Sequence, residues 1–370
     1  MHICIVSSWI PGKKRPNFPP FVFDFAENMA RSNIKVSVIG PLDQEDEPIA
    51  QTKLFTIYRV NSRFPLLSII SLISKIRPDI IHVHAPNFFS CQAIPVAKIM
   101  GLPIVATVHL GEVDPIGNPL FFLRKHALAR FKRIIAVSNY TRDLALNAGV
   151  DGKKISVIYN SCDETFFYSG KNKAAVRKKN NLPADTKIII FVGDLIRRKG
   201  VSSLVESLAT LREQFQAFIA IIVGNGEERQ NLESMVDKYD LRRNVMFSGN
   251  VSRDKLADFY SAADVFVLPS SAEGHSVALL EAMASGLPLV ASNIEGSRIS
   301  IESGVNGFLF ETGNSQELAE KLKIILTDDN LQRIMSSNSS KIYRERFSTQ
   351  TLIQNHLKIY NSFVDKQIQT

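Results

Sequence analysis

The chain has 370 residues, of which 45% are hydrophobic and 22% are charged, so we expect a globular protein with about two domains. Its 19 glycines and 16 prolines are scattered, which excludes collagen-like and low-complexity proteins, and Cys4, Cys91 and Cys162 lack metal-ligand spacing. The net charge is +8, but the basic residues are not interleaved with a recognisable nucleic-acid-binding module, so nucleic acid is not an expected partner.

The first half of the chain alternates short apolar runs with helical patterns. Continuous runs rich in β-branched residues indicate strands that are buried on both faces of a parallel sheet. Helical patterns lie between these runs at 21–31 and at 90–100. The alternation predicts a doubly wound sheet covered by helices. The predicted strands are 3–6, 36–39, 80–83, 104–108, 134–137 and 155–159.

The same half contains the most apolar stretch of the chain, 64–76. This stretch is short and is broken by Pro65 and Lys75, whereas a membrane-spanning helix needs about 20 apolar residues. Residues 1–6 have the pattern of a core strand, with no basic segment before a long apolar run, so they do not indicate a secretion signal. We therefore expect a cytoplasmic protein with free thiols.

The alternation is interrupted at 160–186, where basic residues and an Asn-Asn-Leu-Pro turn are typical of a connector. A second series of strands follows, and the amphipathic stretch 349–368 predicts a C-terminal helix that returns to the first domain. The expected domains are 1–164, completed by 348–370, and 165–347. The predicted strands of the second series are 188–192, 218–223, 245–247, 265–268, 289–291 and 308–310.

The most specific segment of the chain is 269–288, which begins where a predicted strand ends. Ligands of doubly wound sheets bind at such strand ends. Glu273 and Glu281 are separated by seven residues here, and Ala-x-Ala-x-Gly-x-Pro follows directly. In these residues the chain resembles glycosyltransferase family 4, whose members are retaining enzymes of the GT-B fold. The resemblance implies two Rossmann-like domains, α/β in class with doubly wound parallel sheets, that face a central cleft.

The resemblance and the chemistry of this segment point to the same roles. Glu273 precedes the predicted helix and is expected to be a catalytic residue that accepts hydrogen bonds from sugar hydroxyls. Glu281, expected two turns into the helix and about 12 Å further on, would bind the ribose diol as the family's second glutamate does. The first amides of the helix attract phosphate. The alternative is a solvent-facing Glu273 and a Glu281 in a structural ion pair. The predicted donor-binding residues of the segment are Gly274, His275, Ser276, Val277, Ala278 and Glu281.

Basic residues follow the first strand of the second domain, where family members usually carry Gly-Arg-Leu and then Lys-Gly. Lys199 and Gly200 match this pattern, and Lys199 is a predicted catalytic and donor-binding residue. Asp194 occupies the usual arginine position, so Arg197 or Arg198 is the expected substitute. Cations at this place would stabilise the charge that grows on the leaving diphosphate. An exposed basic turn is the alternative.

The other features of the predicted donor-binding site are three glycines and one departure from the family pattern. Gly193 opens the basic loop, and Gly224 and Gly226 match the family's loop beside the base, so all three are predicted donor-binding residues. Further on, Arg298 and Ile299 replace the usual Pro-Glu. The resemblance therefore implies no donor contact of the usual kind at that loop.

The first domain resembles the family more loosely. His109 aligns with the family's histidine in a His-Gly-x-Asp-like segment, which implies a catalytic position beside the transferred sugar. His84 also ends a predicted strand, and a structural and a functional role are equally open for it. Pro19 stands near the place of a family glycine, and proline has no amide proton to donate. Lys14 and Arg15 are candidates for contacts with an anionic acceptor instead.

Together these features predict a retaining glycosyltransferase that moves a sugar from a nucleoside-diphosphate sugar to a hydroxyl of a glycan or lipid-linked glycan, in cell-surface polysaccharide biosynthesis. Retention follows from the resemblance alone. The chain has no Asp-x-Asp motif, so we expect no metal on the diphosphate and no cofactor besides the donor substrate. The alternatives are a nucleotide-sugar epimerase of the same fold and a non-catalytic nucleotide-sugar-binding subunit. A nicotinamide dehydrogenase is disfavoured because no Gly-x-Gly-x-x-Gly follows either first strand.

The distribution of charge bears on the acceptor. Residues 1–165 carry 19 Lys and Arg against 13 Asp and Glu, whereas residues 166–347 carry 23 against 22. A basic first half suits an anionic acceptor or peripheral contact with the inner face of the cytoplasmic membrane, although a solvated surface without a partner would have the same charge. The sugar, the base, the linkage and the oligomeric state stay open.

Overall fold

The computed structural model describes residues 1–12, 21–43, 46–113 and 126–368. The chain divides into two compact units, one formed by Met1–Tyr159 with Thr349–Thr370 and the other by Asn160–Ser348. Each unit contains one sheet.

The first unit contains an eight-stranded sheet. Its strands are β1 (His2–Val6), β2 (Lys35–Pro41), β3 (Ile49–Gln51), β4 (Thr56–Val60), β5 (Ile80–His84), β6 (Ile104–Val108), β7 (Arg133–Ala136) and β8 (Ile155–Val157). They lie in the order β3-β4-β2-β1-β5-β6-β7-β8, and the neighbours pair in parallel except for the antiparallel edge pair β3–β4. The direction of winding therefore reverses at β1.

The second unit contains a six-stranded parallel sheet. Its strands are β9 (Lys187–Val192), β10 (Phe218–Val223), β11 (Val245–Gly249), β12 (Val265–Leu268), β13 (Leu289–Ser292) and β14 (Gly307–Phe310). They lie in the order β11-β10-β9-β12-β13-β14, which is the Rossmann order, with the reversal at β9. The predicted fold class of two Rossmann-like, doubly wound parallel sheets is confirmed.

Fourteen α-helices lie within the described residues. They are α1 (Phe21–Arg31), α2 (Pro65–Ile76), α3 (Ala93–Met100), α4 (Leu110–Val113), α5 (Asn139–Asn147), α6 (Lys173–Lys179), α7 (Val201–Gln214), α8 (Arg229–Lys238), α9 (Arg253–Ala262), α10 (Val277–Ala284), α11 (Glu295–Arg298), α12 (Ser315–Thr327), α13 (Asp329–Arg346) and α14 (Thr349–Ile368). In the part of the chain that the structure covers, no helix is long and apolar enough to cross a membrane.

The first sheet is covered on both faces because alternate residues of its central strand enter different cores. Ile3 and Ile5 pack in one cluster with residues of α1, whereas Cys4 and Val6 pack in another with residues of α2 and α3. The predicted C-terminal helix is also confirmed, since Tyr360 of α14 is fully buried in the first of these cores.

The expected connector is wrong in part, because 160–186 belongs to the second unit and contains α6. Arg177 of this helix is buried, and its Nη2 donates to Asp264 Oδ2 over 2.7 Å. Asp264 also accepts from Lys173 Nζ (2.5 Å) and from the Ile188 amide (2.6 Å). Burial raises the pKa of Asp264, but these cationic and amide donors outweigh burial and lower it. The basic run is therefore anchored to the start of the second sheet.

Candidate functional site

Close approaches of backbone bring three loops together at the carboxyl edge of the second sheet. A Cβ at Gly200, after β9, would lie 2.1 Å from the carbonyl oxygen of Pro269, after β12. A Cβ at Gly224, after β10, would lie 2.0 Å from the carbonyl oxygen of Gly193, after β9. Gly200 and Gly224 also have φ of +64° and +128°, a region that side chains disfavour. Glycine is required at both positions, and the loops can pack only because it is there.

Glu273 lies at the centre of these loops and forms ion pairs with the basic turn after β9. Its Oε1 lies 2.7 Å from Lys199 Nζ and 3.5 Å from Arg198 Nη1. Arg198 Nη1 also donates to the Ala272 carbonyl oxygen over 2.6 Å. Glu273 is only 8% exposed, so the alternative of a solvent-facing carboxylate is wrong. The structure thus brings together two predicted catalytic residues that are far apart in the sequence.

The two candidate arginines take different positions. Arg197 and Arg198 are both exposed, as is Asp194, but Arg198 also reaches the Glu273 loop. Of the two predicted substitutes for the missing arginine, Arg198 is the one that the fold directs toward the predicted catalytic pair.

The helix that follows Glu273 is α10, whose first turn contains the predicted residues Val277 and Ala278. The first helical residue of α10 is Val277, and Ser276 is the N-cap, with no hydrogen bond from its side chain to the helix. The first amides of a helix have no intrahelical acceptor and carry the positive end of the helix dipole. The start of α10 therefore provides donors suited to an anion, a few residues from the Lys199–Glu273 pair.

Glu281 is the fifth residue of α10, so it lies just over one turn into the helix and not two turns as predicted. Residues 273–276 are not helical, and at about 1.5 Å per residue Glu281 lies about 6 Å along the axis from Val277. Its Oε2 accepts a hydrogen bond of 2.9 Å from the hydroxyl of Tyr260 in α9. Sequence reasoning missed Tyr260, because nothing in the pattern of α9 distinguishes it from an ordinary core residue.

His275, a predicted donor-binding residue, has its ring engaged within the second unit. Its Nδ1 accepts from the Asn160 amide over 3.1 Å, and its Nε2 lies 3.4 Å from Ser300 Oγ. Burial, with a smaller contribution from nearby Arg346, lowers the pKa of His275 to about 3, so the ring is neutral. The ring therefore has a packing role. These contacts, with the bond from Asn160 Nδ2 to the His275 carbonyl oxygen, also explain why the unit boundary falls before Asn160 rather than after residue 164.

The glycines of the next loop act through the backbone. A Cβ at Gly226 would lie 2.4 Å from the carbonyl oxygen of Leu195, and Leu195 donates its amide to the Asn225 carbonyl oxygen over 2.9 Å. A Cβ at Gly224 would likewise lie too close to the carbonyl oxygen of Gly193. The predicted donor-binding glycines therefore hold the loops after β9 and β10 against each other.

His109 lies in the first unit, in an aromatic setting. Its ring centroid is 4.7 Å from that of Phe21 and 6.0 Å from that of Trp9. Burial lowers the pKa of His109 to about 4, so the ring is neutral near pH 7. His84 is buried at the end of β5, and neither ring nitrogen has a hydrogen-bond partner among the described residues. Lys14, Arg15 and Pro19 lie outside the described residues.

Within 1–12, 21–43, 46–113 and 126–368, no group of three or more His, Cys, Asp or Glu side chains is arranged to hold a metal ion. Transfer without a metal stays a prediction.

Two family models together match most of the chain. The model described as "Glycosyl transferases group 1" matches residues 172–342, and the model described as "Glycosyltransferase Family 4" matches residues 20–166. Residues 172–342 include the loops after β9, β10 and β12 that form the candidate site.

Individual proteins agree with these matches. An Escherichia coli enzyme named UDP-Gal:alpha-D-GlcNAc-diphosphoundecaprenol alpha-1,3-galactosyltransferase is 30% identical over 315 residues, which is 81% of this chain and 80% of that protein. Sucrose-phosphate synthase from Thermosynechococcus elongatus superposes with a TM-score of 0.79 at 21% identity over 99% of both chains. HepE from Anabaena, in complex with UDP-glucose, superposes with a TM-score of 0.79 at 21% identity over 98% of this chain and 100% of that one. The two structures share the fold.

Proposed function

Since the chain belongs to glycosyltransferase family 4, we propose that it transfers a sugar from a nucleoside-diphosphate sugar to a hydroxyl of a glycan or lipid-linked glycan, with retention and without a metal. The observation that carries this proposal is the Lys199–Glu273 ion pair of 2.7 Å beside the start of α10. The carboxylate can accept hydrogen bonds from sugar hydroxyls, and the cation and the helix N-terminus can bind the diphosphate of a nucleotide sugar.

In this proposal the second unit binds the donor. The diphosphate lies at the first amides of α10, near Lys199 and Arg198, and the sugar hydroxyls face Glu273. Charge on the diphosphate increases as the bond to the sugar breaks, so a nearby cation stabilises the transition state more than the ground state. At about 4 Å and an effective dielectric constant of about 20, one unit charge contributes about 4 kcal/mol before desolvation. A cation of this kind can therefore supply what a metal supplies elsewhere.

The first unit is the proposed acceptor domain, and His109 is its proposed catalytic residue. The E. coli relative is named for an acceptor on diphosphoundecaprenol, which supports a lipid-linked acceptor and a role in cell-surface polysaccharide biosynthesis for this chain as well. A lipid-linked acceptor requires the enzyme to work at a membrane surface.

An exposed apolar surface on the first unit supports peripheral contact with an anionic membrane. We call it the α2 patch, and it consists of Ile49, Phe64 and Leu67, which are 60%, 74% and 78% exposed. Ile49 and Leu67 line one groove of about 450 Å³. Arg63 places its guanidinium over the ring of Phe64, 5.7 Å from the centroid. Apolar side chains next to a cation suit the boundary between anionic headgroups and acyl chains.

The proposal is tested in two steps. A thermal-shift screen with UDP-, GDP- and ADP-sugars should show one donor class that raises the melting temperature, because ligand binding stabilises the folded state. A transfer assay with that donor should then lose about 10²–10³ in kcat when Lys199 is replaced by Ala.

The matched control is Lys179→Ala, which removes a more exposed lysine of the same unit from an ion pair of similar length, 2.8 Å from Asp258. This variant should keep normal turnover. Unchanged turnover in Lys199→Ala would refute the role of the cation. Donor binding without any transfer or donor hydrolysis in the wild type would favour a non-catalytic nucleotide-sugar-binding subunit.

A further inference from the structure

A tyrosine outside the family motif holds the second motif glutamate. Tyr260 is fully buried in α9, and its hydroxyl oxygen lies 2.9 Å from Glu281 Oε2 and 3.2 Å from the Ala278 carbonyl oxygen. The ring packs edge-on against Phe167, with centroids 5.6 Å apart. Ring packing fixes where the hydroxyl lies, so the hydroxyl in turn fixes one oxygen of the carboxylate.

The direction of this hydrogen bond follows from the charges. Burial raises the pKa of Tyr260, and the neighbouring Glu281 carboxylate raises it further, so the phenol keeps its proton. The single proton of Tyr260 has two acceptors in reach, and a charged carboxylate is a stronger acceptor than a backbone carbonyl. The tyrosine therefore donates mainly to Glu281 Oε2.

A glutamate side chain has several rotatable bonds, and fixing them upon ligand binding lowers affinity. Two adjacent ribose hydroxyls can both donate to one carboxylate only when the edge that carries its two oxygens is turned toward them. A carboxylate that is already held on one side loses less entropy when the diol arrives. Such an arrangement raises affinity without adding any contact to the ligand.

We propose that Tyr260 is a positioning residue that orients the Glu281 carboxylate toward the ribose diol of the nucleoside diphosphate. This inference rests on the proposed function, since it requires a bound nucleotide. It adds to that function a source of donor affinity and of selectivity for ribose over 2′-deoxyribose. The ribose is remote from the bond that breaks, so the effect belongs to binding rather than to the chemical step.

The test compares Tyr260→Phe with the wild type by isothermal titration calorimetry. The probe is whichever of UDP, GDP and ADP binds the wild type most tightly, together with its 2′-deoxy form. The wild type should bind the ribonucleotide more tightly than the deoxynucleotide. Tyr260→Phe should weaken ribonucleotide binding about five- to tenfold, leave deoxynucleotide binding nearly unchanged, and so reduce the ratio between them. In turnover, the donor KM should rise by a similar factor while kcat changes little.

The matched control is Tyr343→Phe, which removes another buried tyrosine hydroxyl from the same unit. That hydroxyl lies 3.2 Å from Cys162 Sγ and 3.2 Å from Glu164 Oε1. A variant that only loosens the unit should lower the melting temperature without changing the preference for ribose. Tyr343→Phe should behave in this way, and Tyr260→Phe should not.

A double-mutant cycle separates positioning from a merely structural role. Glu281→Gln alone should remove the preference for ribose, and adding Tyr260→Phe to it should cause no further loss. If Tyr260→Phe does not fold, Glu281→Asp provides the second route. It keeps the charge but withdraws the carboxylate from the hydroxyl by one methylene, and it should lose the same preference.

The outcomes also separate this inference from the proposed function. A wild type that binds none of the three nucleoside diphosphates would overturn both. A wild type that binds one of them without preferring ribose would overturn the positioning role alone. The same holds if the wild type and Tyr260→Phe show equal preference, or if the two substitutions weaken binding additively.

Discussion

Acidification should unfold the first unit, because four of its histidines have a lowered pKa and are neutral in the folded state. His82, His84 and His356 are buried and His109 is partly buried, and the ring centroids of His82 and His84 lie 4.1 Å apart. Burial is the main cause that lowers the pKa of each ring, to about 4 for His109 and His356 and well below 6.5 for the other two. For His82 and His84 the neighbouring histidines lower the pKa further.

Both ring nitrogens of His82 contact hydroxyl groups. His82 Nδ1 lies 2.5 Å from the Tyr360 hydroxyl, and its Nε2 lies 2.8 Å from Thr107 Oγ1. His356 belongs to α14, so protonation there acts on the packing of the C-terminal helix in the first unit.

The sign and size of the effect follow from proton linkage. The pKa of each ring is lowered on folding, so the unfolded chain binds more protons, and stability falls as the pH drops below 6.5. At pH 5.5 one histidine that stays neutral in the folded state destabilises it by about 1.4 kcal/mol. This free energy depends on the pKa of histidine in the unfolded chain, and hardly on how far the pKa is lowered in the folded protein. Four such rings amount to about 6 kcal/mol, which is comparable with the whole stability of a domain, about 5–15 kcal/mol.

The single tryptophan provides a local assay. Trp9 lies in the first unit, with its ring 6.0 Å from that of His109, so its fluorescence reports on that unit. Urea unfolding followed by this signal should give a free energy of unfolding several kcal/mol lower at pH 5.5 than at pH 7.5. His356→Leu should reduce the difference by about 1.4 kcal/mol. The control His126→Gln, at an exposed position of the same unit, should leave it unchanged. A difference below about 1 kcal/mol in the wild type would refute the linkage argument.

Two further predictions concern the backbone of the donor loops and the α2 patch. Gly224→Ala places a Cβ 2.0 Å from the Gly193 carbonyl oxygen and should abolish nucleotide-induced stabilisation in a thermal-shift assay, whereas Gly313→Ala, with φ of +83° and no atom within 4 Å, should retain it. Equal behaviour of the two variants would show that the close approach is not needed. Phe64→Ser combined with Leu67→Ser should reduce binding to vesicles containing anionic phosphatidylglycerol well over tenfold in a cosedimentation assay, because each apolar side chain contributes about 1.5–3 kcal/mol when it is fully buried. Ile99→Ser, at a side chain that is 75% exposed elsewhere on the unit, should not reduce it, and equal losses would exclude the α2 patch as the contact.

The sequence predicts strands well where both faces of a strand are buried and poorly at β3 and β4, whose residues are exposed or partly buried. The bounds of β10 and β12 agree with the predicted runs 218–223 and 265–268, because a strand covered on both faces needs apolar residues at every position. β3 was missed, since its three residues lie at the edge and Ile49 is exposed. β4 was missed for a related reason: two of its central residues, Tyr58 and Arg59, are only partly buried.

The sequence identifies individual residues of the candidate site but not the side chains with which they form ion pairs and hydrogen bonds. Lys199 and Glu273 are 74 residues apart, and Tyr260 and Glu281 are 21 apart on different helices, so no local pattern links either pair. Arg177 shows the same difficulty in a structural role, because its run of basic residues gives no sign that one member is buried against Asp264.

The close approaches of the loops explain why the motifs can nevertheless be identified in the sequence. Gly296, after β13, could not carry a Cβ, which would lie 2.2 Å from the Glu273 carbonyl oxygen, and Gly200 is restricted in the same way by Pro269. Backbone packed this closely tolerates few residue types, so these loops carry a fixed pattern of glycines around the charged residues. Tyr260 holds Glu281 from inside the core. Its position requires only a side chain of suitable volume with one hydroxyl, which restricts the residue type less. A short sequence pattern therefore indicates the glycines and charged residues of the loops. The buried side chains that contact these charged residues are identified only from the folded structure.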